Sequence, residues 1–227
     1  MKILNPWNTW DFHMHSINFS DGLNTIDELV VHAGKIWLKK IAITDHSQTA
    51  IDLSWLRKKN IRSVCSSWRN IHNDVEVIFW VEWDIIDDIW GACLHIQKIE
   101  WNFTLLSLHP YGTYSWDSKN ITEAYIRAIQ SNPWKIDCIA HPCMKMPWLS
   151  EHLDIQKLVT FCNENKIPLE LNGKNLLHGR TDIEKLKIML NKANEIYVNS
   201  DAHTLYELYE ARKFAFDWLK ENGYSWE

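Results

Sequence analysis

Apolar, strand-like stretches of this chain repeatedly run into a residue that binds metals well. IAITDH ends at His46, VIFWVE at Glu82, LLSLHP carries His109, CIAHP carries His141, and NSDAH carries Asp201 and His203. A shorter run leads into DFHMHS, with His13 and His15, and SDG places Asp21 soon afterwards. Packing gives no reason for ligand-type residues to recur at the ends of strands. Delivery to one mouth of a parallel β/α barrel does, because barrel enzymes keep their chemistry on that face. In His13-x-His15 the two side chains share one side of an extended segment, so a single ion can take both. Asp201-x-His203 repeats the device near the other end of the chain.

The segments between these residues alternate in period. Thr25 and Glu28 have the spacing of a capping box, so a helix is expected from there to about Ile36. A strand follows over Ile41–Thr44, then a charged helix to about Asn73 and a strand over Val75–Val81. A hairpin near Asp88 is expected next, with strands near Cys93–Gln97 and Phe103–Leu108. The remainder reads as helix over Ile121–Gln130, strand over Ile136–Ala140, helix over Ile155–Asn165 and strand over Pro168–Leu171. Helix over Asp182–Ala193, strand over Ile196–Asn199 and a final helix over Leu205–Glu221 complete the chain. Repeated strand-then-helix order implies a largely parallel sheet with helices outside. No Gly-rich phosphate loop accompanies any strand-to-helix turn, which argues against a dinucleotide fold.

No linker or repeat divides the 227 residues, so a single domain is expected over 1–227. Apolar runs fall far short of a membrane span and Met1-Lys2-Ile3 opens no signal peptide. The five cysteines (Cys65, Cys93, Cys138, Cys143, Cys162) are odd in number and lack CxxC spacing, so a reduced, cytoplasmic chain is expected. Cys143, two residues after His141, is expected to be an inert or supporting thiol. A net charge of −5 argues against coating nucleic acid, but not against an acidic substrate met by bound cations.

Fourteen tryptophans stand against seven glycines, and several occupy places that favour a small residue. Trp37 follows a helix where a C-terminal Gly is usual. Trp90 falls in the expected hairpin turn, and Trp80 and Trp83 flank Glu82. Either the protein is unusually rich in tryptophan, or these positions come from UGA codons read as glycine. UGG codons at 37, 80, 83 and 90 would exclude the second origin.

Taken together, HxH, SDG (Ser20–Gly22), ITDHS (Ile43–Ser47), a strand-end Glu, IAHP (Ile139–Pro142), PLELN (Pro168–Asn172) and the late DxH resemble the PHP family. This is the polymerase and histidinol phosphatase superfamily of metallohydrolases, and the likeness runs from Asp11 to about Leu219. It is nearest to small stand-alone members and to the PHP domain of bacterial family X DNA polymerases. The resemblance implies an α/β fold, a distorted seven-stranded (β/α) barrel with a trinuclear metal centre. By motif, His13, His15, Glu82 and Asp201 would hold one ion, Asp21, His46 and His203 a second, and His109 with His141 a third. Glu82 would bridge the first and third. The two or three divalent ions would be zinc, manganese or iron, and Asp21, where some close relatives carry His, would shift preference toward a harder ion such as manganese.

The chemistry implied is hydrolysis of a phosphate ester by a metal-activated hydroxide, with Glu82 in the centre. In LLHGR, Arg180 would clamp the phosphate through its fork of donors, and His178 would bind phosphate or protonate the leaving group. The expected partner is a small phosphorylated substrate or a nucleic-acid end, with no membrane and no obligate protein partner. Two alternatives remain: a non-catalytic metal-binding PHP interaction module, and a barrel metallohydrolase of amidohydrolase type. His32, His72 and His152 are expected to be structural or solvated. His95 lies in a strand-like run, but His109 fits the LHP motif better.

Overall fold

The computed structural model of the chain describes residues 1–53, 67–87, 92–93, 95–96, 99–100, 104–109, 118–133, 135–146 and 150–225. Its strands are β1 (Lys2–Ile3), β2 (Trp10–Asp11), β3 (Lys40–His46), β4 (Glu76–Ile85), β5 (Ala92–Cys93), β6 (His95–Ile96), β7 (Ile99–Glu100), β8 (Thr104–Ser107), β9 (Cys138–Ile139), β10 (Leu169–Asn172) and β11 (Glu195–Asn199). The α-helices are α1 (Ile26–Lys35), α2 (Gln48–Leu53), α3 (Ile121–Ser131), α4 (Ile155–Asn165), α5 (Gly173–Leu177), α6 (Ile183–Lys192) and α7 (Leu205–Glu221).

The main sheet runs β1-β11-β10-β9-β8-β4-β3-β2, and every neighbouring pair along it is parallel. The seven strands from β11 to β2 curl as the sequence leads one to expect of a barrel, with β1 added outside β11. β5 joins β4 antiparallel, and β6 and β7 form a separate antiparallel pair. No ladder joins β1 to β2, so the curl closes by other means. Asn5 donates to Trp10 O and to Val198 O, both at 3.1 Å, and accepts from Val198 N at 2.8 Å. Just beyond β2, Met14 makes an isolated parallel bridge to Ala202. The result is a half barrel pinned across its seam.

Apolar side chains pack between the sheet and its helices. The larger cluster joins Val81, Trp83 and Ile85 of β4 to α3, α4, α6 and α7, and a smaller one seats α1 on β3 through Leu29, Val30, Ile41 and Ile43. Alternation along β4 puts Val81, Trp83 and Ile85 on the helix side and leaves Glu82 and Asp84 for the barrel interior. The Trp83 indole is therefore 1% exposed yet turned away from Glu82. Trp80 shares the Glu82 face, two residues nearer the start of the strand, and its ring lies 5.1 Å from Phe12.

Local signals account for many boundaries. The capping box is present: Glu28 N donates to Thr25 Oγ1 and Thr25 N donates to Glu28 Oε2. Asp154, Asp182 and Thr204 cap α4, α6 and α7 with the side-chain oxygen alone, accepting from Lys157 N, Lys185 N and Glu207 N. Several boundaries move inward: Ile136–Ala140 shortens to Cys138–Ile139, Asp182–Ala193 to Ile183–Lys192, and the strand expected to reach Leu108 ends at Ser107. The helix expected to continue to about Asn73 begins as α2 but does not reach that far, because residues 68–73 are not helical; residues 54–66, like Trp90 and the turn near Asp88, lie outside the described residues. The helix α5 is the element that periodicity does not announce, because five residues are too few to show a period.

α1 ends in a Schellman motif, with Leu38 N donating to Ala33 O at 3.0 Å and Trp37 N to Gly34 O at 3.2 Å. The motif requires a left-handed residue, and Trp37 supplies it at φ +68 with its side chain 76% exposed. An L-residue there costs about 1–2 kcal/mol that glycine does not. Trp37→Gly is expected to raise Tm by roughly 2–4 °C for each kcal/mol regained, measured by thermal denaturation.

A second stability effect depends on pH. Asp137 and Thr104 exchange backbone and side-chain hydrogen bonds at the junction of β8 and β9, at 3.0 and 2.9 Å. Burial pushes the Asp137 carboxyl up to about 6, against the pull of the Thr104 N–H. The folded state thus holds a proton that the unfolded state releases near 3.8. The associated stability is present below that value and is lost as pH rises through about 6. Asp137→Asn is expected to match the wild-type Tm near pH 4 and to exceed it at pH 8.

Candidate metal centre

The C-terminal ends of the parallel strands converge on one small volume, and each ligand-type residue sits at or just past such an end. His46 closes β3, and Glu82 is its register partner on β4. His109 and His141 lie two residues beyond β8 and β9, and Asp201 lies two beyond β11. His13 and His15 follow β2. Asp21 comes from the loop that folds back over them, and His203 from the segment before α7.

Among the described residues, four sets of possible ligand atoms form, each lying within 4.8 Å of one another: His15, Asp21, His46 and His203; His13, Glu82 and His141; His13, His15 and Asp201; His46, Glu82 and His109. All nine residues singled out from the sequence belong to at least one set. The grouping differs in detail from the motif-based one. His15 also faces Asp21, His46 and His203, and Glu82 also faces His46.

Glu82 is the hub. Its Oε1 lies 2.7 Å from His141 Nε2, 3.4 Å from His13 Nε2 and 3.5 Å from His109 Nε2. Its Oε2 lies 2.9 Å from His46 Nδ1 and 3.5 Å from His15 Nε2. Burial alone would raise this carboxyl, but the surrounding imidazoles, His109 first, hold it well below the ordinary range. Burial likewise opposes charge on Asp201, and Lys174 with His13 reverses it. Asp21 is lowered by His203 and His46 against the same penalty. His13 and His46 behave oppositely: burial lowers them, and nearby carboxylates outweigh it and raise them well above their usual value. His15 stays lowered by burial, with His203 and His46 adding to it.

Do these residues suit divalent ions? His46 Nδ1 and Glu82 Oε2 approach to 2.9 Å, yet both are buried without a hydrogen bond. Buried polar atoms left unpaired are costly, and unpaired imidazole nitrogen beside unpaired carboxylate oxygen is what an ion would satisfy. The donor set, six imidazoles and three carboxylates, is that of zinc, iron or manganese sites. The residues fit the group.

Further side chains orient these candidate ligands, and sequence reasoning missed them. Asp84 accepts from His109 Nδ1 at 2.5 Å and from Ser47 Oγ at 2.5 Å, which leaves His109 Nε2 for an ion. Glu170 does the same for His13 Nδ1 at 2.8 Å and accepts from the His141 backbone N at 2.9 Å. Asn172 Nδ2 joins Glu170 Oε2 to Asp201 Oδ2, at 3.0 Å each. The signal for Asp84 was its place two residues after Glu82 on one face of a strand; Glu170 lay in plain view in PLELN. Buried Asp45 ties down the Asp21 loop by accepting from Ser16 N and Oγ at 2.7 Å and from Ser20 Oγ. Two ligands have left-handed backbone, His141 at φ +31 and Asp201 at φ +54. Such strain, of order 1–3 kcal/mol each, is typical of residues held for function.

His178 and Arg180 stand outside the cluster, both exposed, on the turn between α5 and α6. His178 Nε2 lies 3.0 Å from Glu207 Oε1, and Glu207 Oε2 accepts from His203 N at 2.9 Å, so His178 is one residue removed from a ligand loop. Arg180 is anchored by its backbone, between Asn175 O and Lys145 N. Cys143 is buried with Sγ 3.8 Å from Met189 Sδ, and burial pushes its thiol up, which disfavours the thiolate. His95 lies in the β6–β7 pair and belongs to none of the ligand sets, and His72 meets Asp27 at 2.9 Å on the surface. No helix among the described residues is long and apolar enough to cross a membrane.

The PHP domain family matches residues 11–202. A probable phosphatase of Caldicellulosiruptor bescii is 31% identical over 205 residues, covering 84% of this chain and 78% of that protein. The DNA polymerase/3'-5' exonuclease PolX of Bacillus subtilis is 26% identical over 206 residues, 86% of this chain; the match spans only 34% of PolX. Among solved structures, histidinol phosphate phosphatase of Lactococcus lactis subsp. lactis Il1403, crystallised with zinc, L-histidinol and phosphate, superposes with a TM-score of 0.61 at 12% identity. That likeness covers 95% of this chain and 94% of the other, and is one of fold. The chain belongs to the PHP family, as a PHP-type metal-dependent phosphoester hydrolase.

Proposed function

We propose that this chain is a single PHP domain that hydrolyses a small phosphate monoester with two or three divalent ions held by His13, His15, Asp21, His46, Glu82, His109, His141, Asp201 and His203. The observation that carries this reading is Glu82, a fully buried carboxylate with five imidazoles around it at 2.7 to 3.5 Å. Divalent ions in such a site supply charge neutralisation of the phosphate, activation of water at neutral pH and stabilisation of the leaving oxygen. The chain's own residues do the rest. Asp84 and Glu170 fix the tautomers of His109 and His13, and the buried floor of His13, His15 and Glu82 excludes bulk water. Arg180 receives the phosphate at the rim, and His178, held by Glu207, lies on the same turn to meet the leaving group.

A small substrate is favoured over a polynucleotide track by the net charge of −5. The likeness to PolX supports a second reading, in which the phosphate belongs to a nucleic-acid end. One experiment separates them: protein loaded in turn with zinc, manganese and ferrous iron is assayed on a panel of phosphomonoesters and on single-stranded oligonucleotides. The expected result is at least two ions per chain by elemental analysis and faster turnover of a phosphomonoester. Absence of retained metal after loading would overturn the hydrolytic reading.

Arg180→Ala is expected to leave the metals in place and to lower kcat/KM by about one to two decades, the effect of losing a charge-assisted contact. Arg180→Lys should recover only part, since an ammonium lacks the planar fork. Wild-type kcat/KM in both variants would remove Arg180 from the site.

A further inference from the structure

We infer that Lys174 is a second phosphate-binding residue, placed on the open side of the metal centre to receive a phosphomonoester dianion; this rests on the hydrolytic reading above. α5 begins directly after the last residue of β10, so its second residue stands at the level where the ligands gather. The backbone there is immobilised. A Cβ on Gly173 would come within 2.6 Å of Ala211 O on α7, so the chain at 173 is pressed against that helix. Lys174 N donates to Ser200 O at 3.0 Å.

From this anchored root the side chain reaches into the cluster. Its Nζ lies 2.8 Å from His203 Nδ1 and 3.4 Å from Asp201 Oδ2. Among the described residues it is the one Lys or Arg side chain that pairs with a ligand carboxylate. Exposure tells which side a substrate must use. The side chains of His13, His15 and Glu82 are fully buried, whereas Asp21 is 39% exposed, His203 19% and Lys174 15%. Among the described residues of the cluster the open edge is the one formed by Asp21 and His203, and Lys174 belongs to that edge.

The chemistry of the side chain suits this place. An ammonium on a four-carbon stem is a compact charge with three donors that can follow a moving oxygen. Nζ shares Asp201 with any cation the cluster holds, so like-charge repulsion turns it toward solvent, where a dianion is its stronger partner. Arg180 stands on the exposed turn after α5, so Lys174 and Arg180 lie at the two ends of one short helix.

The test uses the full-length, metal-loaded protein as wild type, Lys174→Gln and Lys174→Arg, with inorganic phosphate as the probe. Phosphate affinity is read by calorimetry, metal content by elemental analysis, and KM and kcat on the best phosphomonoester. Lys174→Gln is expected to weaken phosphate binding by about 10-fold to 100-fold, with a matching rise in KM and unchanged metal content. Lys174→Arg, which keeps the charge, should recover most of the affinity. Unchanged phosphate affinity in Lys174→Gln would overturn the inference. So would loss of metal in step with loss of phosphate, which would make Lys174 a support for Asp201 and His203. Failure of the wild type itself to bind phosphate or turn over a phosphomonoester would overturn the hydrolytic reading and this inference with it.

Discussion

Glu82→Gln is expected to cost at least one bound ion and to lower kcat/KM far more than it lowers the stability of the fold. The substitution keeps volume almost unchanged and removes the charge on which five imidazoles converge. An amide offers one neutral oxygen where the carboxylate offers two charged ones, so it cannot serve ions on both of its sides. Removing a side chain that only orients a ligand costs about 10–100-fold in metal affinity or activity, and loss of the hub itself should exceed that, at about 1,000-fold or more. The fold should tolerate the change, because β4 is held by its ladders to β3 and β8 and by Val81, Trp83 and Ile85 on the opposite face. Elemental analysis, kcat/KM and the thermal transition measured on one preparation decide the matter. Full turnover with full metal content would show that Glu82 is not a ligand.

The nine candidate ligands stood out in the sequence because most of them follow an apolar run, and a strand end leaves a one-dimensional trace that a reader can see. Groups acting at one remove leave no such trace. Asp84, Glu170 and Asn172 are ordinary polar letters until the fold brings them to 2.5–3.0 Å from a ligand or from one another. Lys174 was hidden for a different reason. It sits on a helix of five residues, too short for periodicity, and reaches its partners across 29 positions of sequence. Element order was readable for the complementary reason: periodicity accumulates over ten or more residues, as in α4 and α7, whose bounds follow directly from the pattern. The two-residue strands β2 and β9 were placed but not bounded, since so short a run carries no alternation to end. Trp83 shows the limit of reasoning from neighbours in sequence. Adjacent to Glu82 in the chain, it lies on the other side of the sheet.

Gly22→Ala should disable the centre without touching any ligand. A Cβ at this position would lie 2.2 Å from His15 O, 2.4 Å from His15 C and 2.7 Å from Ser16 N. All three are backbone atoms, so no side chain can swing aside, and the loop itself must retreat. That loop carries Asp21, whose Oδ1 stands 3.4 Å from His46 Nε2 and 3.3 Å from His203 Nε2. It is also stitched to both of its neighbours, by Leu23 N to His203 O at 2.7 Å and by Ile17 N to Asn24 O at 2.9 Å. Retreat therefore withdraws Asp21 and strains the His203 segment together. Forcing even one methyl into such a contact costs about 1–3 kcal/mol or more, and the displaced carboxylate should weaken the ion held by His15, Asp21, His46 and His203 by roughly 10–100-fold. Gly223→Ala supplies the comparison. Gly223 has φ +76 and no atom within 4 Å of its would-be Cβ, so only the backbone penalty of about 1 kcal/mol applies. Metal titration of both variants separates the causes. A loss of affinity in Gly22→Ala but not in Gly223→Ala ties the effect to the Asp21 loop. Equal metal affinity in the two, with Gly22→Ala merely less stable, would mean that Asp21 contributes nothing to holding the ion.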